Sequence, residues 1–196
     1  MSSGQTPSQT VGPYFAFGLA APQYGYPHNG LASGDLADDS TSGERIEIVG
    51  QVLDGAGVPI GDAMIEIWQA DAEGRYAHPA DGRQSNQGFR GFGRFGTGTE
   101  TDNSFRFRSV KPGSVDGAQA PHITVIVFMR GMLTHAYTRL YFSDEPEANA
   151  RDPVLSSVPK ERRGTIVAHR DHNSPTPLYR FDIHMQGDDE TVFFEV

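Results

Sequence analysis

The chain has 196 residues, a formal net charge of −9 and no cysteine. An acidic balance speaks against nucleic acid and anionic membrane surfaces as partners, because the domains that bind them are basic. The lack of thiols excludes disulfides and thiolate metal sites and fits a reducing compartment. With 37% hydrophobic residues the chain can bury one sizeable core, so a single folded domain is expected. No run is long and apolar enough to span a bilayer, and the first residues show no apolar signal segment, so a cytoplasmic protein is expected.

Residues 1–43 have little periodicity and read as an arm and linker, with residues 44–196 as the folded domain. Tyr14, Phe15 and Phe17 stand close together in that arm. Aromatics in a short arm usually dock on a surface, either the chain's own or a partner's. Arg45–Leu53 alternates and predicts a strand, closed by the turn Asp54-Gly55-Ala56-Gly57. Ala63–Gln69 predicts the next strand and holds the only tryptophan, Trp68. Asp71–Gly74 turns the chain and presents Tyr76 and His78. Residues 87–98 are glycine-rich with three phenylalanines and read as a crossover loop. Phe105–Val110 alternates cleanly, and Lys111-Pro112-Gly113 ends it.

Pro121–Phe142 is the most apolar part of the chain. Ile123–Phe128 is nearly unbroken and β-branched, as in a strand buried on both faces. Gly131 breaks it, and His135–Phe142 alternates again, so two strands joined by a turn are predicted. A short helix is expected near residues 145–150, and strands at Thr165–Arg170, Leu178–Met185 and Thr191–Val196. Roughly eight short strands with almost no helical period argue for an all-β sandwich or barrel.

Several apparent motifs carry no chemistry. GFGRFG (Gly91–Gly96) has the spacing of a dinucleotide fingerprint, but no helix follows it. His169 and His172 lack a third ligand nearby and read as a solvated loop. His28 and His135 have no evident partners. Tyr76 and His122 remain. Phenolate and imidazole together suit ferric iron, but two donors do not make a site. Thr124 stands two residues beyond His122, hence on the same face of a strand.

Taken together, Gly50–His78, GFGRFGT (Gly91–Thr97), FRFRSVKPG (Phe105–Gly113), APHITV (Ala120–Val125), TRLYF (Thr138–Phe142) and DPVL (Asp152–Leu155) resemble the intradiol ring-cleavage dioxygenase family. The resemblance covers roughly residues 45–196 and implies a β-sandwich of two mixed sheets with an extended N-terminal arm and little helix. Iron-binding members hold non-haem Fe(III) with two tyrosines and two histidines. Their first tyrosine falls on Tyr76 and their first histidine on His122. The other tyrosine falls on Val115 and the other histidine on Thr124. An arginine three residues before the first histidine falls on Gln119. The resemblance therefore implies vestigial positions at Tyr76, Val115, His122 and Thr124, with no metal and no catalytic residue in this chain.

TPSQTVGPYF, FMRGMLTHAYTRLYF and GDDETVFFEV narrow the resemblance to the non-iron-binding chain of two-chain members. It implies an iron-bearing beta-chain partner in a higher-order αβ oligomer that acts on a small aromatic acid and O2. Thr10, Gly12, Pro13 and Tyr14 would line the partner's pocket. Arg130 would either reach the substrate there or form an ion pair across the interface. A self-sufficient ferric dioxygenase and a non-catalytic β-sandwich binding module are the rival readings.

Overall fold

The computed structural model describes residue 4 and residues 6–27 and 30–195; His28 and Val196, named above, lie outside them. Nine strands form one mixed pairing path. The strands β1 (Arg45–Leu53), β2 (Met64–Gln69), β4 (Ser104–Val110), β5 (His122–Phe128) and β6 (Ala136–Phe142) fall where strands are expected, β1, β4 and β6 from alternation and β5 from its apolar run. Between β2 and β4 lies β3 (Phe92–Gly96), in the run expected to be a loop. Its glycines hid it. A Cβ on Gly93 would stand 2.5 Å from Leu36 Cδ1, so the missing side chain makes room for a core leucine.

The C-terminal strands are shorter than expected. A tight helical turn, Lys160–Ile166, replaces the start of the predicted Thr165–Arg170 strand and leaves β7 (Val167–Arg170). Leu178–Met185 divides into β8 (Leu178–Arg180) and β9 (Ile183–His184). The predicted strand at Thr191–Val196 is reduced to a single bridge, Tyr137 with Phe194. The helices α1 (Phe15–Leu19), α2 (Pro146–Arg151) and α3 (Pro153–Ser157) are short, and α2 sits where the helix was expected.

The path runs β3-β2-β5-β6-β7-β8-β1-β4, with β9 on β1. It has no break: β7 pairs parallel with β6 and antiparallel with β8. The sheet curls so that both halves face one core. Ile46, Ile48 and Phe107 come from one half, and Ile65, Val125 and Leu140 from the other. β5 is not buried on both faces as predicted. Ile123, Val125 and Val127 are in the core, whereas Thr124, Ile126 and Phe128 are only partly buried. Loops and a side layer cover the outward face instead of a second apolar sheet.

Residues 30–43 are tied to the domain. The Leu36 N–H donates to the Arg108 carbonyl (2.9 Å), and the Arg108 N–H donates to the Gly34 carbonyl (2.8 Å). Leu36 is fully buried. This part of the expected linker behaves as core. Leu36→Ala should therefore lower the unfolding free energy by about 2–5 kcal/mol, the usual cost of such a cavity. A denaturant titration with an unchanged midpoint would show that the segment lies outside the folding unit.

Candidate functional site

The outward face of β5 collects the residues singled out above. Strand register places Thr124 between Trp68 on β2 and Arg139 on β6, and pairs His122 with Tyr141. Tyr76 lies over this row, its ring stacked on Trp68 with centroids 5.6 Å apart and planes 3° from parallel.

Tyr76 is held by its loop. Asp71, fully buried, accepts N–H groups from Glu73, Arg75 and Asn86 and anchors both ends of the loop. Asp81 accepts the Tyr76 N–H (2.8 Å) and the Arg83 side chain. The Arg83 hydrogen bond, with help from that N–H, holds the Asp81 carboxyl well below the usual carboxylate range. Gly74 has φ +73°, and a Cβ there would meet the Ser114 carbonyl oxygen at 2.0 Å. That close approach brings the Tyr76 loop against Ser114 and Val115. The four positions that the resemblance matches to metal ligands, Tyr76, Val115, His122 and Thr124, thus lie around one small region.

His122 is buried, and its Nδ1 lies 2.8 Å from the Ala120 carbonyl oxygen. The contact needs a proton on Nδ1 and leaves Nε2 as the lone-pair nitrogen. Burial makes the ring harder to protonate than an ordinary histidine; the Ala120 carbonyl opposes this and the Arg139 charge reinforces it. Burial also pushes the Tyr76 phenol up, while Arg139 pulls it partly back.

Arg139 and Asp152 organise the rest, and neither was singled out from sequence. Arg139 Nη1 donates to Gln119 Oε1 (2.8 Å) and to the Tyr141 hydroxyl oxygen (3.3 Å). Asp152 is fully buried and accepts from the Ala120 N–H (2.8 Å), the Tyr141 hydroxyl (3.0 Å) and the Leu155 N–H (2.7 Å). It caps α3 while joining the entrance of β5 to the end of β6. A signal for Arg139 was present: TRLYF puts it on the same strand face as Tyr141, two residues apart.

Ferric iron does not fit this donor set. Val115 has no donor atom, Thr124 offers a neutral hydroxyl, and a guanidinium occupies the neighbouring position. Among the described residues, no group of three His, Asp or Glu side chains is placed to hold a metal ion.

Of the predicted substrate-contacting residues, Thr10 and Arg130 lie elsewhere, at the β5–β6 turn. Thr10 Oγ1 accepts the Gly131 N–H at 2.9 Å, which fixes the arm beside Arg130. Arg130 forms an ion pair with Asp62, a partner the sequence did not suggest. A cavity of about 310 Å³ lies between the arm residues Ser8, Gln9 and Val11 and the turn residues Met129, Met132 and Leu133. Gly12 and Pro13 lead from Thr10 to Tyr14, whose side chain is 76% exposed. His169 lies on β7, and His172 follows it in a turn.

Comparison with known proteins fixes the family. Residues 12–187 match the family described as Dioxygenase. The chain belongs to this dioxygenase family. A relative from Burkholderia cepacia, the protocatechuate 3,4-dioxygenase alpha chain, is 53% identical over 193 residues, 98% of each chain. The protocatechuate 3,4-dioxygenase beta chain of the same species is 30% identical, over 87% of this chain and 79% of its own length. Among solved structures, an intradiol ring-cleavage dioxygenase from Tetranychus urticae superposes with a TM-score of 0.63. It covers 93% of this chain and 94% of its own at 17% identity, which supports the fold alone.

The buried phenols make a testable pH dependence. Tyr141 is pushed up to about 12, chiefly by burial, with its hydrogen bond to Asp152 adding and Arg139 opposing. Tyr179 is also pushed up to about 12, by burial and by donating to Asp144. In the unfolded chain both ionise near 10.0. The folded state therefore keeps protons that the unfolded state has lost. The stability from this difference is fully present below pH 10 and falls as pH rises toward 12. Tyrosinate absorbance of these two should lag behind that of the exposed tyrosines, appearing only toward pH 12 or with the loss of fold. Ordinary titration of all tyrosines in a protein that stays folded would contradict this.

Proposed function

We propose that this chain is the alpha, non-iron-binding subunit of a protocatechuate 3,4-dioxygenase. In complex with an iron-bearing beta chain it would cleave 3,4-dihydroxybenzoate with O2 to 3-carboxy-cis,cis-muconate. The observation that carries the reading is the 53% identity to an alpha chain along 98% of both chains. The misfit of the outward pocket to iron supports it, because it leaves this chain without a metal centre of its own. The same misfit disfavours a self-sufficient ferric dioxygenase.

In this reading the iron belongs to the beta chain, and this chain shapes and closes the pocket beside it. Thr10, Gly12, Pro13 and Tyr14 would line the partner's substrate site. The Thr10–Gly131 hydrogen bond supports that role, since it holds the arm against the turn that carries Arg130. Arg130 is 57% exposed at its side chain and stays oriented by Asp62. Its guanidinium would meet the carboxylate of the aromatic acid, and the arm would exclude water around the ring. The reading divides the chain into an arm and linker, residues 1–43, and a domain, residues 44–196; residues 30–43 pack on that domain, and only the part before Ala20 is offered to the partner. The curled path is read as a sandwich of two mixed sheets that share β7, which the single core between its halves supports. A cysteine-free chain suits the cytoplasm as its compartment.

Co-expression with a beta chain of this family should give one iron per αβ pair and oxygen uptake on protocatechuate. Two irons per pair would overturn the reading. In that complex, Arg130→Met should raise KM about tenfold, the loss expected for one charge-assisted hydrogen bond. Iron content should stay unchanged. Tyr14→Ala should also raise KM. Unaltered constants in both variants would remove these residues from the site.

A further inference from the structure

The missing donors explain why the outward pocket of β5 would bind iron weakly. They do not explain what stabilises the pocket in their absence. A metal site that loses its metal leaves polar groups facing each other across a partly buried space, and unpaired groups there are costly. Here one charged side chain acts on several of them. Arg139 stands beside Thr124 in the sheet, acts electrostatically on both Tyr76 and His122, and donates to Gln119 and Tyr141. Among the described residues its hydrogen-bond partners are an amide and a phenol, not a carboxylate.

We propose that Arg139 has taken over the place of the metal: its guanidinium is the cation of this pocket and excludes iron independently of the two missing donors. Arginine is suited to this. It does not lose its proton near neutral pH, so the pocket cannot shed the charge by titration. One end of its fork, Nη1, is held by both Gln119 and Tyr141, and Tyr141 is itself fixed by the buried Asp152. A multivalent cation beside Thr124 would face a fixed like charge in a site that water screens poorly. Refilling the ligand set is then not enough to restore the metal.

The test supplies the missing donors with and without the arginine. Val115→Tyr with Thr124→His is compared with the same pair plus Arg139→Gln, each purified as the full chain with whatever partner co-purifies. Iron is counted as the difference from the unsubstituted preparation, so iron carried by a partner cancels. Failure of the subunit assignment therefore leaves this result readable. The triple variant should take up at least ~10-fold more iron than the double variant, because only there is the like charge gone. Equal uptake by both would overturn the proposal, as would a triple variant that takes up no more than the unsubstituted chain. A milder pair serves if a tyrosine at 115 is not accommodated. Thr124→His/Arg139→Gln should show a zinc-dependent rise in melting temperature and Thr124→His alone should show none. Equal shifts in that pair would also overturn it.

Discussion

The period-two alternation of β5 is the constraint on which the rest depends. Ile123, Val125 and Val127 are locked into the core between β2 and β6. His122, Thr124 and Ile126 must then point the other way. The same register puts Trp68 and Arg139 on either side of Thr124. A slip of one residue would bring the histidine into the core and expel three aliphatic side chains, so the core itself fixes the composition of the outward pocket. The Ala120 N–H, bound to Asp152, pins the entrance of the strand and with it the register.

Two loops complete the pocket by covering that face, and they rely on backbone contacts more than on apolar burial. Asp71 gathers the loop that carries Tyr76, and the Gly113 N–H donates to the Asp71 carbonyl at 2.8 Å. Gly74 allows the approach to Ser114 that a side chain would block. Each hydrogen bond to such a buried carboxylate contributes about 1.5–3 kcal/mol. The loops can therefore hold an aromatic side chain in place with no ion beneath it.

Much of this was legible from sequence because period two is a local signal. The strands β1, β4 and β6 follow it, and so does the shared face of His122 and Thr124, while β5 was marked by its apolar, β-branched run. β3 was missed because its glycines read as loop; Gly93 makes room for Leu36 and Gly96 for Tyr24, both far away in sequence. The early segment was read as linker for the complementary reason, since the groove that buries Leu36 is built by later strands. Arg139 and Asp62 gained their roles only through pairings across the sheet and the turn, which no spacing in one strand encodes. The family resemblance pointed to Tyr76, Val115, His122 and Thr124 but assigned nothing to Arg139, the charge beside them.

Asp152 has a further consequence for motion. Its carboxylate is satisfied only while three separate segments are in place: the entrance of β5, the end of β6 and the first turn of α3. Lifting α3 away by itself would break the Asp152 bonds to the Ala120 N–H and the Tyr141 hydroxyl at once and pull Leu155 and Val158 out of their cluster with Tyr141 and Ile166. Partial opening there is therefore nearly as costly as losing the whole assembly, and the segment breathes with the sheet as one cooperative unit. Amide protons at Ala120 and Leu155, though they lie in loop and helix, should exchange on the slow timescale of the central strands.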